Sequence, residues 1–124
     1  MAIVHRQTGG GVWEWGSLDV QEYTSNRATK QVLIGRSEGA SNFEVRHFTI
    51  PARGFSSLDE HVHDHGVVVT HGRARLVSGG ETFVVSQGDA VYIPGSECHQ
   101  FENLLDVPFA FLCVIPPKPV SPEP

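Results

Sequence analysis

The amino-acid sequence predicts an all-β domain, and three observations lead to this prediction. Valine outnumbers leucine 16 to 7, and β-branched side chains suit a pleated strand better than a helix. No window of the sequence shows the 3.6-residue apolar periodicity of an amphipathic helix. Short apolar runs alternate instead with turn residues, and several short strands within one domain indicate a sandwich or a closed barrel.

Eight runs rich in valine, isoleucine, phenylalanine and tyrosine are the predicted strands. In chain order they are Gln31–Arg36, Phe43–Ile50, Val67–His71, Arg73–Ser78, Glu81–Val85, Ala90–Ile93, Cys98–Asn103 and Phe109–Ile115. Segments containing glycine, proline or aspartate separate each run from the next. Gly79 and Gly80 suit a two-residue hairpin turn, which needs positive φ angles at its central residues.

Length and composition narrow the class of protein. The chain has 124 residues and a mass of 13.6 kDa, the size of a single domain. Lys and Arg total 9 against 14 Asp and Glu without any basic cluster, so no nucleic acid and no membrane partner is expected. No apolar run is long enough to cross a bilayer, and the N-terminus lacks a signal-peptide pattern. Cys98 and Cys113 are too few for a disulfide framework, which favours reduced thiols in a cytoplasmic protein.

Three histidines alternate along the chain at His61, His63 and His65. Alternate residues of a strand point to one face, so this spacing directs the imidazoles the same way. Neutral imidazole is the commonest ligand of divalent metals. A bound metal ion therefore explains such a cluster better than packing does. Residues i and i+4 of a strand are ~13 Å apart, too far to share an ion through bonds of ~2.1 Å. A bend near Asp64–Gly66 is therefore predicted, with ligands arriving from two neighbouring strands.

Two motifs resemble those of the cupin superfamily, in particular small single-domain bacterial cupins with a mostly histidine metal site. The first comprises Gly54, the run His61-Val62-His63, then His65 and, after six residues, Gly72. The second comprises Gly88, Pro94, His99 and Asn103 at the family's spacing, with glycine at 95 where the family has it at 96. The similarity covers residues 31–117 and implies a double-stranded β-helix, the jelly-roll cupin barrel.

The resemblance also bears on the two ends of the chain. Residues 1–30 are an N-terminal segment, and because cupins of this size resemble homodimers, Trp13 and Trp15 are expected to contribute to a dimer interface. Deletion of residues 1–20 should then weaken dimerisation in a sedimentation experiment. Residues 118–124 are a proline-rich tail that is expected to be flexible.

The metal ligands implied by the resemblance are His61, His63, His65 and His99, with His65 standing where the family has glutamate. A second register is open, because the family's three-residue gap would pair Asp59 with His61 and place His63 at the tip of a turn. The fourth ligand is therefore either His63 or Asp59, and the other three belong to both registers. A nitrogen-rich set suits Mn, Fe, Ni, Cu or Zn better than Mg or Ca, so one divalent transition metal per chain is predicted.

Four residues are predicted to line a substrate pocket beside the metal. Phe111 and Cys113 share one face of a strand, and Arg46 and Phe48 share one face of another, with His47 on the opposite face. Periodicity does not show which face of that second strand is inward. An inward Arg46 would be a fixed positive charge able to hold an anionic substrate. His71, which precedes Gly72, is expected to lie in a solvated turn.

These features predict a metal-dependent enzyme that acts on a small organic molecule in the barrel. By resemblance to similar cupins, the favoured activity is that of an oxidoreductase of the dioxygenase kind. One alternative is non-redox Lewis-acid catalysis by an isomerase, decarboxylase, lyase or cyclase, and another is a module that binds a small ligand without turnover. A redox-active metal would favour the oxygenase, whereas zinc would favour the Lewis-acid enzyme.

Overall fold

The computed structural model describes residues 1–117, which are organised almost wholly as strands and turns. Within these residues the strands are β1 (Gln21–Glu22), β2 (Thr29–Ile34), β3 (Glu44–Ile50), β4 (His65–His71), β5 (Arg73–Ser78), β6 (Glu81–Ser86), β7 (Ala90–Ile93), β8 (His99–Asn103) and β9 (Phe109–Ile115). A single 3-10 turn, Arg36–Glu38, follows β2 in this part of the chain. The predicted all-β, jelly-roll class is confirmed.

Two antiparallel sheets enclose one core. The larger sheet has the strand order β1-β2-β3-β9-β4-β7, and the smaller has the order β6-β5-β8. The core draws on both sheets, with Leu76 and Phe101 from the smaller and Ile50 and Phe109 from the larger. Strand β9 lies between β3 and β4 and is buried along most of its length, as its continuous apolar sequence requires.

Most predicted strands agree with the structure to within two residues. Arg73–Ser78, Ala90–Ile93 and Phe109–Ile115 have the predicted bounds, and the φ angles of Gly79 and Gly80, 58° and 83°, confirm the predicted hairpin turn. Strand β2 ends before the predicted Arg36 because the chain turns at Gly35. Strand β1 was missed because Gln21–Glu22 is short and wholly polar.

The segment before β1 packs on the face of the larger sheet that points away from the core. Trp15 is buried, its backbone N–H donates to Gln31 Oε1 at 2.9 Å, and its carbonyl accepts from Gln31 Nε2 at 2.7 Å. Trp13 is 41% exposed, and its part in a homodimer stays a prediction. The predicted flexible tail, residues 118–124, lies outside the described residues.

Across residues 1–117, no helix is both long enough and apolar enough to cross a membrane.

Candidate metal centre

Two separate segments of the chain bring the predicted ligands together. His61 and His63 lie in the connection that leads into β4, and His65 is the first residue of that strand. The chain bends at Val62 and His63, slightly earlier than the predicted position near Asp64–Gly66. Just upstream, Asp59 and His99 exchange two backbone hydrogen bonds of 2.9 and 3.0 Å, which join this connection to the start of β8.

The turn that follows β7 supports the histidine-bearing connection. The Ser96 N–H donates to the His61 carbonyl oxygen, and a side chain at Gly95 would collide with the Val62 carbonyl oxygen. Ser96 itself has a φ of 65°, in the left-handed region that favours glycine. The family pattern has glycine at 96, where the positive φ angle favours glycine. This chain has glycine at 95 instead, where the Val62 carbonyl oxygen leaves no room for a side chain.

The histidine side chains converge on a small region, and we call His61, His63, His65 and His99 the inner histidine cluster. One ligand nitrogen from each of the first three lies within 4.8 Å of the other two. Nitrogens bound to one ion through bonds of ~2.1 Å lie at most ~4.2 Å apart, so small side-chain rotations suffice to bring them to an ion. The ring centroid of His99 is 4.8 Å from that of His65 and 6.0 Å from that of His61.

Hydrogen bonds define which ring nitrogen is available in two members of the cluster. Nδ1 of His99 lies 3.0 Å from the Glu97 carbonyl oxygen, and because a carbonyl only accepts, Nδ1 is the donor, which leaves Nε2 as the nitrogen that faces a ligand in the neutral tautomer. Nδ1 of His65 lies 3.3 Å from Cys113 Sγ. Nε2 of His65 is buried and has no hydrogen-bond partner within residues 1–117. Such an orphaned atom is costly, and coordination of a metal ion would remove the cost.

The electrostatic environment keeps His65 in the neutral form that binds metals. Burial, reinforced by the neighbouring His99, His63, Arg46 and His61, lowers the pKa of His65 to about 3. The ring is therefore uncharged at neutral pH. Neutral nitrogen ligands suit a divalent transition metal, so the residues present fit the predicted cofactor.

Both candidates for the fourth ligand lie beside His61. Asp59 Oδ2 is 3.7 Å from His61 Nε2, whereas the His63 ring stacks on the His61 ring with centroids 4.8 Å apart. Asp59 lines the cavity described below, and His63 lies outside its wall. The ligand nitrogens of His61, His63 and His65 group together, and the Asp59 carboxylate lies at the cavity, so the choice between His63 and Asp59 as fourth ligand stays a prediction.

A cavity of about 160 Å³ adjoins the inner histidine cluster. The inward face of β3 is the one that carries Arg46 and Phe48, because both residues line this cavity. The cavity wall includes all four residues predicted for the substrate pocket and three of the cluster histidines: Arg46, Phe48, Phe111, Cys113, His61, His65 and His99.

Three polar residues of the cavity wall were missed from the sequence, namely Tyr23, Ser56 and Ser57. Tyr23 stacks on Phe48 with ring centroids 6.5 Å apart. Burial raises the pKa of Tyr23 above its usual 10, so the phenol keeps its proton at neutral pH. A single aromatic residue in an unpatterned segment gives no local signal of this position.

Strand β3 is buried on both faces, which explains why its periodicity was ambiguous. His47, on the face away from the cavity, is 2% exposed and packs on Trp13 and Trp15 with ring centroids 6.3 and 5.2 Å away. Its Nε2 lies 3.1 Å from Thr70 Oγ1, and the same hydroxyl lies 2.9 Å from Nδ1 of His71. His71 is half-buried in β4, so the expectation of a solvated turn is wrong. We call His47 and His71 the outer histidine pair.

Comparison with known proteins agrees with this architecture. The family model for the cupin domain matches residues 46–115. The 1-methylthio-D-xylulose 5-phosphate methylsulfurylase of Rhodospirillum rubrum is 32% identical over 109 residues, which cover 83% of this chain and 69% of that relative. The structure of a cupin-2 domain protein from Rhodospirillum rubrum is similar with a TM-score of 0.80 and 29% identity, over 98% of this chain and 82% of that one.

A second solved structure, the polyketide cyclase RemF from Streptomyces resistomycificus, has a TM-score of 0.77 and 26% identity. The match covers 100% of this chain and 89% of the cyclase. The family model spans more than half of the chain and includes the motif residues around His61 and His99. The chain therefore belongs to the cupin family.

Proposed function

We propose that this cupin is a metal-dependent enzyme that converts a small carbonyl-containing molecule by Lewis-acid chemistry. The observation that carries the proposal is the convergence of His61, His63 and His65 beside a cavity that His61, His65 and His99 line, with Nε2 of His65 buried and unpartnered within residues 1–117. The relatives support the reaction class. Their names refer to a xylulose 5-phosphate derivative and to a polyketide, and neither name is that of an oxygenase.

The residues that would hold the metal are His61, His63, His65 and His99. A divalent transition metal bound there supplies a Lewis acid that polarises a carbonyl oxygen and makes the adjacent C–H bond more acidic. The chain's own contribution at this point is the orientation of the rings. The Glu97 carbonyl fixes the tautomer of His99, and Cys113 contacts the far nitrogen of His65.

Proton transfer is assigned to the polar residues of the cavity wall. The Asp59 carboxylate lies beside His61, 3.7 Å from its Nε2, and Oδ2 accepts the proton that leaves the substrate carbon. Tyr23 keeps its phenolic proton because burial raises its pKa, so Oη donates a hydrogen bond to a substrate oxygen. A positioned general base contributes a factor of roughly 10²–10⁴ to the rate.

The apolar part of the wall sets the size of the substrate and excludes water. Phe48 and Phe111 stack with ring centroids 5.2 Å apart, and Phe101 packs on Phe111 at 4.7 Å. The cavity volume of about 160 Å³ is below the ~300 Å³ at which ordinary ligand pockets begin. The substrate is therefore a small molecule, or one that enters with a single small group.

The oxygenase predicted from the sequence is the second candidate function. The observation that favours it is the nitrogen-only inner cluster, since such ligands also suit the redox-active ions Fe, Mn and Cu. The two functions differ in one measurable requirement, because only the oxygenase consumes dioxygen.

Hydrogen–deuterium exchange separates these functions. The metal-loaded protein is incubated in D₂O with a panel of small hydroxyketones, keto acids and ketose phosphates, under argon and in air, with NMR detection of exchange at the carbon beside the carbonyl. We expect exchange of at least one compound at equal rates under both gases, and a rate lower by roughly 10²-fold or more in Asp59→Asn. The control variant His47→Gln should exchange at the wild-type rate. Stoichiometric oxygen uptake would assign the oxygenase instead, and binding without exchange would assign a ligand-binding module.

A further inference from the structure

We propose that the cavity takes a small oxyanion, a carboxylate or phosphate compound, and that Arg46 is the residue that binds its charged group. The inference rests on the proposed function only in treating this anion as the substrate. The anion site itself is formed by side chains that do not need the metal.

The first observation is an uncompensated charge. Arg46 lines the cavity, is 5% exposed, and takes part in none of the ion pairs formed within residues 1–117. Its Nε is buried without a hydrogen-bond partner in this part of the chain. A guanidinium remains protonated at every ordinary pH, and a buried charge without a counter-ion is strongly unfavourable. An anionic ligand would supply the missing charge.

The contacts that Arg46 does make hold the side chain without neutralising it. Its Nη2 donates to Cys113 Sγ at 3.3 Å, and sulfur is a weak acceptor. The Phe48 ring centroid lies 5.0 Å from Cζ, which is a cation–π contact. In the described part of the wall the acidic residue is Asp59, and it lies beside His61 instead. The guanidinium is thus fixed in position and still needs a negative partner.

The position of Arg46 relative to the histidines sets the length of the ligand. Cys113 Sγ contacts Arg46 Nη2 and His65 Nδ1, each at 3.3 Å, so one sulfur atom separates the guanidinium from a ring of the inner cluster. A cavity of about 150 Å³ accommodates benzene, and this one measures about 160 Å³. The ligand is therefore of the order of six to ten non-hydrogen atoms, with few bonds between its charged group and the oxygen that faces the histidines.

Calorimetric titration with defined probes tests the inference. Malonate, inorganic phosphate and the neutral analogue malonamide are titrated into the full chain, metal-free and metal-loaded, in a buffer without other carboxylates or phosphates. Malonate or phosphate should bind the wild type in both forms, and Arg46→Met should weaken this binding by about 10- to 100-fold. The matched control is Arg75→Met, because Arg75 is exposed and pairs with Glu102 away from the cavity. It should bind the anion as the wild type does. The tighter of the two anions identifies the charged group.

Thermal unfolding provides a second readout that does not depend on affinity alone. Replacing an uncompensated buried charge with an apolar side chain of similar size is often neutral or stabilising, so Arg46→Met without ligand should unfold at or above the wild-type midpoint. An anion at 100 times its dissociation constant should raise the wild-type midpoint by roughly 5–10 °C. In Arg46→Met, whose affinity is expected to be 10- to 100-fold lower, the same anion concentration should raise the midpoint by only about one-sixth to one-half as much.

Several outcomes would overturn the inference. They are equal anion binding by the wild type and Arg46→Met, binding of malonamide as tight as that of malonate, and no binding of either anion by the wild type. Binding confined to the metal-loaded form and independent of Arg46 would place the anion on the metal and would also overturn it. If the wild type failed to take up any metal, the proposed function would fail, whereas anion binding by the metal-free protein would still stand.

Discussion

His65 of the inner histidine cluster and the outer histidine pair lie on opposite faces of the larger sheet, where strand β4 begins with His65 and ends with His71. Both groups contain a buried imidazole that is neutral at pH 7. The pKa of His65 is lowered to about 3 and that of His47 to about 4, in each case mainly by burial. By residue type, burial and charge state, His65 and His47 are alike.

The difference lies in how the nitrogen atoms are satisfied. In the outer pair, Thr70 Oγ1 lies 3.1 Å from His47 Nε2 and 2.9 Å from His71 Nδ1, and tryptophan rings pack around both. In the inner cluster, His65 Nε2 is buried without a hydrogen-bond partner among residues 1–117, at a point where other ligand nitrogens converge. Burial and a lowered pKa therefore do not distinguish a candidate metal site from a packed histidine. The convergence of ligand nitrogens around the unpartnered His65 Nε2 does.

The largest expected effect comes from replacing one histidine of each group. His99→Ala removes a ligand and should lower metal affinity by more than about 100-fold, beyond the range for partners outside the ligand shell. His47→Ala should leave the affinity within about two-fold, since distant sites act independently. Competition titration of Zn²⁺ against a chelator measures both. An equal loss of Zn²⁺ affinity in the two variants would show that the two groups do not differ as metal sites.

The next effect concerns the fourth ligand. Since the nitrogen of His63 lies within 4.8 Å of those of His61 and His65, His63→Ala should weaken metal binding by more than about 10-fold, the lower limit for a partner outside the ligand shell. Asp59→Asn should change the affinity much less, although it should slow turnover. The same chelator competition measures both affinities. The reverse order of affinities would show that Asp59 is the ligand and that His63 does not bind the metal.

A smaller effect is expected in the pH dependence of folding. Because the pKa of His47 is about 4 in the folded state against 6.5 as its ordinary value, the unfolded chain binds more protons between these limits. The contribution of this residue to the free energy of unfolding is therefore fully present above pH 6.5 and is lost as the pH falls towards 4. Between pH 7 and 5 this contribution decreases by about 2 kcal/mol. Urea unfolding of the metal-free protein at the two pH values should show a decrease in the free energy of unfolding that is larger by this amount in the wild type than in His47→Gln. An equal decrease in both proteins would show that His47 does not contribute to the pH dependence.

The smallest predicted effect tests the turn that supports the inner cluster. Ser96 has a φ of 65°, which costs a non-glycine residue about 1 kcal/mol. Ser96→Gly should therefore raise the free energy of unfolding by up to about 1 kcal/mol, with metal affinity unchanged. Urea unfolding and chelator competition measure the two quantities. A destabilised Ser96→Gly would show that the serine side chain contributes more than its backbone strain costs.

Local patterns in the sequence were sufficient for much of the fold and for the grouping of the cavity-lining residues. The short run Arg73–Ser78, bounded by turn residues, predicted a strand with the observed bounds, and the two motifs around His61 and His99 predicted which histidines come together. Sequence periodicity alone did not assign the faces of β3, because Arg46 and His47 are both buried. The inward face became clear only from the cavity that Arg46 and Phe48 line and from the packing of Trp15 on the opposite side.

Positions that depend on distant segments could not be predicted. Tyr23 reaches the cavity wall from before β2, and its stacking on Phe48 depends on tertiary packing. His71 was expected in solvent because Gly72 follows it, yet Trp13, from far upstream, packs on its ring with centroids 5.3 Å apart. The homodimer and the choice between His63 and Asp59 stay predictions.

The most direct test of the difference between the two groups is metal content. The protein is purified without a histidine tag, reconstituted with divalent transition metals, and analysed by mass spectrometry, with an electron paramagnetic resonance spectrum of the same sample. We expect about one ion per chain in the wild type and in His47→Ala, and less than about 0.1 in His99→Ala. Absence of metal from the reconstituted wild type, or its retention in His99→Ala, would contradict the assignment of the inner histidine cluster as the metal centre.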